Sequence, residues 1–358
     1  MRSLNFSVFV LVLLVPGTAL LLADGGRLHQ EPQPIPIKLG TSGSRIDDLR
    51  KFPQVGPCYA ATLGSAVTCN GALAILSNNH VLALTDTGVA PAGTPIVQPG
   101  LRDTNCKNTG TIVADFAGDI VPIDAGNVDA AIAFARPGAV DPLGEILDIG
   151  VPCATPHAPE IGLPVAKSGR TTGLTFGTVV RIDVTVYNLN PDNSVTLYTN
   201  QVEIVPGDPE FVKQGDSGSL VVTDDAHHQP VGLLFASGKN STLANPAADI
   251  ISAFDRFCKP GGLAFAGRAC ATASSPRLPG GLNSAAVGNA AAVKERHAAW
   301  ILSLPSVVGV GIGASEIGPG EEAIVVLLDE PPAVRPDLPD RLEGVRVETA
   351  VTGRFRRL

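Results

Sequence analysis

The sequence predicts an all-β chain that carries a small α/β module towards its carboxyl-terminal end. The 39 glycines and 30 prolines make up about a fifth of the 358 residues, a density of turn formers that suits many short strands better than long helices. The apolar fraction of 44% suffices to bury a core, although aromatic residues contribute only 4%. The net charge of −8 and the lack of a basic run argue against a nucleic-acid-binding protein.

Short apolar runs separated by turn residues fill the chain between residues 51 and 258. Such runs are too short for buried helices, and their spacing is typical of a β-sandwich or β-barrel. They predict strands at Tyr59–Val67, Ala72–Leu76, Thr111–Phe116, Ala130–Ala135, Gly177–Tyr187, Ser194–Val205, Ser219–Thr223 and Val231–Ala236.

The amino-terminal residues 1–23 have the pattern of a secretory signal peptide. A basic residue, Arg2, precedes the apolar run Phe6–Val15, and small residues follow. An uncleaved membrane anchor is the alternative, since the apolar stretch is near the shortest length that spans a bilayer. Residues 24–50 are predicted to form an extended, proline-rich lead-in. Either interpretation places the chain outside the cytoplasm, as a secreted, periplasmic or cell-envelope protein, with no stable membrane partner if the segment is cleaved.

Six cysteines in an exported chain indicate disulfide bonds. No Cys-x-x-Cys occurs, so a zinc site is not expected. Six cysteines allow 15 pairings in principle. Proximity in sequence suggests, as a guess, the pairs Cys58–Cys69, Cys106–Cys153 and Cys258–Cys270.

The composition changes after residue 258. Residues 259–289 are rich in Gly, Ala, Ser and Pro and are predicted to be a linker. Residues 290–358 are predicted to form a module of one helix, Ala290–Leu304, followed by strands. This module carries no acid–base or metal constellation, so docking, autoinhibition and substrate recruitment all remain open. Because it contains none of the candidate catalytic residues, a chain ending near Asn289 is expected to fold and stay reactive.

A histidine, an aspartate and a serine each lie beside a predicted strand. Nucleophilic acyl transfer requires a hydroxyl, a base and an anion that orients the base, with N–H donors for the developing oxyanion. We therefore predict Ser217 as nucleophile, His80 as base and Asp129 as orienting anion, with the N–H groups of Gly215 and Ser217 as the oxyanion hole. Three nearby carboxylates could replace Asp129 in this role: Asp115, Asp119 and Asp124.

The sequence around the serine resembles a known family. The run Gly215-Asp216-Ser217-Gly218 matches the nucleophile motif of the chymotrypsin/trypsin-like serine peptidases, and the chain order of histidine, aspartate and serine is also theirs. Lys167–Leu174 is similar to the opening of the second barrel in the secreted bacterial branch. Over residues 55–258, this resemblance implies two Greek-key, six-stranded β-barrels of the chymotrypsin type. They would occupy residues 51–258 and meet near residues 150–160, with the active site between them.

The resemblance also implies roles for residues around the triad. Asp216, next to the nucleophile, should be buried and paired with Lys167, with Arg170 as the alternative. Phe211 should lie at the floor of the primary specificity pocket, with Phe235 and Ser237 on its wall. Because no acid stands at the floor, cleavage after small or apolar residues is expected to exceed cleavage after Lys or Arg.

The sequence thus predicts a secreted serine endopeptidase whose partner is a protein or peptide substrate. It predicts no cofactor and no metal, and it treats the adjacent pair His227-His228 as solvated residues of a polar hairpin. Two alternatives remain: an esterase using the same triad, and a non-catalytic binding or adhesion protein on a peptidase scaffold. The esterase is disfavoured because Ser217 precedes a predicted strand, whereas the esterase motif lies on a strand–turn–helix.

Overall fold

The computed structural model describes residues 27–49, 58–85, 88–120, 127–190, 193–208, 210–270, 284–331 and 337–358. The predicted signal peptide and Asp124 lie outside these ranges. Within them, no helix is both long and apolar enough to cross a membrane.

The described part of the chain is mostly β-structure. The strands are β1 (Thr41–Arg45), β2 (Ala61–Leu63), β3 (Ser65–Cys69), β4 (Ala72–Ser77), β5 (Leu84–Thr85), β6 (Gly88–Val89), β7 (Pro95–Gln98), β8 (Thr111–Ile120), β9 (Ala131–Ala135), β10 (Pro164–Gly169), β11 (Gly173–Leu189), β12 (Val195–Pro206), β13 (Leu220–Thr223), β14 (Pro230–Ser237), β15 (Thr242–Pro246), β16 (Leu263–Phe265), β17 (Val307–Ala314), β18 (Glu322–Leu328), β19 (Arg341–Leu342), β20 (Val345–Val351) and β21 (Phe355–Arg357). The α-helices are α1 (Asn79–Leu82), α2 (Ala247–Phe254) and α3 (Ser284–Leu302), and short 3₁₀ turns span Leu28–Gln30 and Leu101–Thr104.

The first sheet is a curled half-barrel with the strand order β16-β3-β4-β9-β8-β7-β1-β2. Val67, Ile75, Phe116 and Ile132 are buried together in its core. The resemblance implies six strands here. The short strands β2 and β16 extend the sheet to eight, because β2 pairs with β1 and β16 pairs with β3.

The second sheet contains a closed ring of six strands. The order β10-β13-β14-β15-β12-β11 is completed by antiparallel pairing of β11 with β10. Its interior holds Val165, Val179, Ile204, Phe211 and Leu234. This ring agrees with the six-stranded second barrel that the resemblance implies.

The carboxyl-terminal residues join the second ring rather than standing apart from it. Strand β17 pairs antiparallel with the second half of β11, and β18, β20 and β19 continue the same sheet. Helix α3 covers one face of these strands, in a core that includes Val293, Ile301 and Ile324. On the other face, Val325 and Leu327 pack with residues of the peptidase strands such as Phe235.

The linker predicted for residues 259–289 is partly regular structure. Strand β16 lies within it and pairs with β3, because Leu263 and Phe265 are buried in the first core. Helix α3 begins at Ser284, six residues before the predicted start of the module at 290. The stretch is rich in Gly, Ala, Ser and Pro, and this composition predicted a linker rather than a strand and the start of a helix.

The three disulfides differ from the pairs guessed from proximity in sequence. They join Cys58 to Cys106, Cys69 to Cys258 and Cys153 to Cys270. Strand pairing explains the second bond. Cys69 ends β3 opposite Leu263 of β16, and this register brings Cys258 beside Cys69 although 189 residues separate them.

Candidate active site

Two neighbouring strands of the first sheet position His80 and Asp129. Strands β4 and β9 are antiparallel, with Ser77 opposite Ala131. His80 lies in the single turn α1 just after β4, and Asp129 lies just before β9. The two side chains therefore emerge at the same edge of the sheet, and both are buried.

The predicted triad is connected by hydrogen bonds. His80 Nδ1 lies 2.7 Å from Asp129 Oδ2, and His80 Nε2 lies 2.8 Å from Ser217 Oγ. The backbone N–H of His80 donates to Asp129 Oδ1 at 3.1 Å. Asp129 therefore holds both the ring and the main chain of the histidine. Asp115, one of the alternatives, instead forms an exposed pair with Arg136.

Asparagine side chains fix the main chain of Asp129 from both sides. Asn78 Nδ2 donates to the Asp129 carbonyl at 2.7 Å, and the Asp129 N–H donates to Asn245 Oδ1 at 3.0 Å. Burial by itself raises the pKa of Asp129, but attraction to His80, its hydrogen bonds and the nearby Arg357 outweigh burial and lower that pKa to about 2. The carboxylate is therefore ionised at any physiological pH.

Glycines allow the tight turn that carries Ser217. Gly218 has φ +88°, and a Cβ there would overlap Ser77 Oγ and the Thr62 carbonyl. The Thr62 N–H donates to the Ser217 carbonyl at 3.0 Å, and Thr62 Oγ1 donates to the Gly215 carbonyl at 3.0 Å. Strand β2 thus ties the nucleophile turn of the second ring to the first sheet.

Hydrogen bonds on both sides fix the peptide between Gln214 and Gly215, whose N–H is one of the two predicted oxyanion-hole donors. The Gln214 carbonyl accepts from Thr171 Oγ1 at 2.8 Å, and the Asp216 N–H donates to the Lys213 carbonyl at 3.0 Å. In a planar trans peptide the N–H points away from the carbonyl. The Gly215 N–H therefore points away from Thr171. Sequence reasoning did not identify this threonine as a positioning residue.

The buried carboxylate of Asp216 pairs with Lys167. The Lys167 Nζ lies 3.6 Å from Asp216 Oδ2, and both side chains are fully buried. Asp216 also accepts from the N–H groups of Thr171 and Lys213, each at 2.8 Å. Burial lowers the pKa of Lys167, against the attraction of Asp216, which raises it. Arg170, the alternative partner, is engaged with Asp103.

The last residues of the sequence lie in the cleft between the two sheets. Strand β21 pairs antiparallel with β14, with Arg357 opposite Ala236, and the Leu358 N–H donates to the Phe235 carbonyl at 3.3 Å. Ser217 Oγ lies 2.5 Å from the main-chain oxygen of Leu358. No feature of the sequence indicated that Leu358 reaches Ser217.

The three residues predicted for the specificity pocket occupy different positions. Phe211 and Leu358 belong to one buried cluster. The ring of Phe235 instead packs against Tyr198, with the ring centroids 4.8 Å apart. Phe235 therefore contacts Leu358 through its carbonyl, and Ser237 pairs in register with Arg356. Of the three predicted residues, Phe211 is the one that belongs to the cluster of Leu358.

Arg357 lies beside the triad. Its Nε is 3.4 Å from Asp129 Oδ2. Burial lowers the pKa of Arg357. The attraction of Asp129 and Tyr198 outweighs burial, so the pKa is raised overall. An isolated sequence gives no signal for this contact, because 228 residues separate the two partners along the chain.

The one group of potential metal ligands in the described residues consists of Cys153, His227 and Cys270. Both cysteines are joined in a disulfide. The N–H groups of His227 and His228 donate to Asp225 Oδ1, as expected for a hairpin turn. The donor set does not suit a metal ion, because disulfide sulfurs are not thiolates.

Comparison with known proteins gives two kinds of similarity. Residues 106–245 match the family described as the Nal1 C-terminal domain, which covers less than half of the chain. No curated protein matches the chain.

The solved structures to which the chain is similar include three serine proteases. A glutamic-acid-specific serine protease is 19% identical, with a TM-score of 0.41, over 61% of this chain and 97% of that one. Thermobifida fusca protease A is 19% identical, with a TM-score of 0.40, over 59% of this chain and 93% of that one. Cellulomonas bogoriensis chymotrypsin is 20% identical, with a TM-score of 0.40, over 61% and 94%.

The fold class predicted from the sequence is confirmed. A curled half-barrel and a closed six-stranded ring enclose a cleft, and His80, Asp129 and Ser217 meet there in the predicted chain order. The fold is of the chymotrypsin type, with a small α/β portion added to its second ring.

Proposed function

We propose that the protein is a secreted serine endopeptidase. The observation that carries this proposal is the continuous chain of hydrogen bonds from Asp129 through His80 to Ser217, with distances of 2.7 and 2.8 Å. These are the distances at which a base can take the proton of a nucleophilic hydroxyl. The three disulfides are compatible with an extracellular location.

The geometry supports a two-step acyl transfer. Ser217 Oγ bonds to the carbonyl carbon of the substrate while His80 Nε2 takes the hydroxyl proton. Asp129 stabilises the resulting imidazolium, and the N–H groups of Gly215 and Ser217 donate to the oxyanion. The C–N bond then breaks, and His80 gives the proton to the leaving amine. Water, deprotonated by His80, releases the acyl group from Ser217.

A peptide substrate is favoured over a simple ester. The pairing of β14 with β13 ends at Leu233, and β21 pairs antiparallel with the next part of β14, at Ala236 and Ser237. Main-chain pairing with a sheet edge is a general mode of peptide recognition. Ser217 is followed by strand β13 rather than by a helix, which further disfavours the esterase alternative.

The test is exhaustive labelling of the recombinant chain with a fluorophosphonate probe, read by mass spectrometry. An adduct on Ser217 that is lost in Ser217→Ala supports a hydrolase, and long incubation ensures that a slowly opening cleft still reacts. Absence of an adduct from folded protein would favour the binding-protein alternative. Turnover of casein in preference to a p-nitrophenyl ester would then support the peptidase over the esterase.

A further inference from the structure

The carboxyl-terminal segment Phe355–Leu358 occupies the cleft in the manner of the acyl half of a substrate. The residue on the acyl side of a scissile bond must place its carbonyl against the nucleophile and its side chain in the primary pocket. Leu358 lies in this place, because its main-chain oxygen is 2.5 Å from Ser217 Oγ and its side chain packs in the cluster of Phe211.

We propose that this segment is an intramolecular ligand that closes the active site, so that the chain is inhibited until the segment is displaced. The inference rests on the proposed peptidase function. It assigns to the carboxyl-terminal module the role that the sequence left open. The module delivers the inhibitory strand and holds it in the cleft.

Each buried side chain of the segment has a defined partner surface. Leu358 is 7% exposed within the apolar cluster of the second ring. Arg357 places its guanidinium beside Asp129. Phe355 is fully buried with Tyr198 and Phe235. Burial of an apolar side chain and pairing of a desolvated charge both favour the closed state.

The next residue, Arg356, has an exposed side chain, although its main chain pairs with Ser237. It is the one exposed residue of the four in the segment. Arg356 is therefore a matched control. It belongs to the same strand but contributes no side-chain burial.

The module anchors the segment on its amino-terminal side. The N–H groups of Thr352 and Gly353 donate to the Leu328 carbonyl at 3.0 and 3.1 Å, and the Thr352 carbonyl accepts from the Lys239 N–H at 2.6 Å. Leu328 ends β18, which is fixed in the sheet. The inhibitory residues thus start from an anchor only a few residues away.

Such a short tether raises the local concentration of the segment. A ligand on a short flexible link has an effective concentration in the millimolar range. For a tetrapeptide with a dissociation constant of about 10–100 µM, the ratio of occupied to empty sites would then be about 10–100. Release of the segment should increase reactivity by about the same factor.

The experiment compares the initial rate of fluorophosphonate labelling in four chains: the full chain, a chain ending at Gly353, Leu358→Asp and Arg356→Ala. The chain ending at Gly353 should react about 10–100 times faster than the full chain. Leu358→Asp should also react faster, because burying a carboxylate in the apolar cluster is unfavourable. This full-length variant still tests the inference if the shortened chain misfolds. Arg356→Ala should react like the full chain. The rates should not depend on protein concentration, since the contact is intramolecular.

A second measurement separates this inference from the proposed function. The acetylated peptide Phe-Arg-Arg-Leu is titrated by calorimetry into the chain ending at Gly353 that also carries Ser217→Ala. Binding that is lost when the peptide ends in Asp supports the inference even if no chain reacts with the probe, an outcome that would overturn only the peptidase proposal. Measurable and equal labelling of all four chains, or no binding of the peptide, would overturn the inference and leave the peptidase proposal standing.

Discussion

Three side chains, His80, Asp129 and Ser217, form one hydrogen-bonded unit. Replacing any one with alanine in the chain ending at Gly353 should lower kcat by about 10³–10⁶-fold, and the losses should not add, because the remaining two cannot act without the third. Peptide hydrolysis by single and triple variants measures this. Asp115→Ala is the control and should retain activity, since Asp115 pairs with Arg136 at the surface. Loss of activity in the control would mean that the orienting carboxylate is misassigned.

The depressed pKa of Asp129 predicts a dependence of stability on pH. Its pKa is lowered from 3.8 to about 2 on folding, so the unfolded chain binds this proton more readily. The ionised carboxylate therefore contributes fully above pH 3.8, and the contribution is lost as the pH falls through about 2. A shift of this size corresponds to about 2 kcal/mol.

Urea unfolding between pH 4 and pH 2, in the Ser217→Ala background, measures this contribution. Between pH 4 and pH 2 the parent should lose about 2 kcal/mol more of its free energy of unfolding than Asp129→Asn does. Asp115→Asn serves as a surface control and should follow the parent. Parallel pH profiles for Asp129→Asn and the parent would refute the assignment.

Gly218 is the glycine on which the nucleophile turn most depends. Its φ of +88° and the proximity of Ser77 and Thr62 both exclude a Cβ. Gly218→Ala should abolish labelling of Ser217 and destabilise the fold well beyond the roughly 1–2 kcal/mol that a positive φ alone entails. Gly138→Ala is matched in φ, at +73°, but has open space around its Cβ. Equal loss of stability in the two variants, measured by thermal unfolding, would show that crowding is unimportant.

At the level of elements, the proposed peptidase function assigns the selection of peptides to the end of β14 and the cluster around Phe211. Leu358 is accommodated beside Phe211 without a charged partner for its side chain. In the chain ending at Gly353, substrates that differ only in the residue before the scissile bond should therefore be cleaved faster after Leu than after Lys. The ratio of kcat/KM values should be at least about tenfold, since burying an unpaired ammonium is unfavourable. A preference for Lys would contradict this account of the pocket.

The same strands show what the sequence could and could not predict. His80, Asp129 and Ser217 flank β4, β9 and β13. Each lies in a short motif beside a run of apolar residues that predicts a strand, so the triad could be predicted from the sequence. Contacts over long sequence separations had no such signal. Asn245 beside Asp129, Arg357 beside Asp129 and Cys258 beside Cys69 depend on strand register, which the pattern of apolar residues does not specify between distant strands.

At the level of the whole molecule, the carboxyl-terminal module was expected from the sequence to be separable, because its composition differs and a Gly/Ala/Ser/Pro-rich stretch precedes it. Composition does not show which face of a strand is covered. Strand β18 places Ile324 and Val326 against α3, and Val325 and Leu327 against the peptidase strands. Strand β17 hydrogen-bonds to β11 over Arg181–Val186.

Unfolding of the module and of the peptidase should therefore form one transition. Trp300 lies on α3 and is the single tryptophan of the chain, so its fluorescence follows the module, while labelling of Ser217 in the chain ending at Gly353 follows the active site. The two urea midpoints should coincide, because separating the sheet at β11 would expose the apolar surface around Val184, Tyr198 and Phe235. For the same reason a chain ending at Asn289 should be recovered mostly as aggregate. Soluble, reactive protein from that chain, together with two separate midpoints, would show that the module folds independently after all.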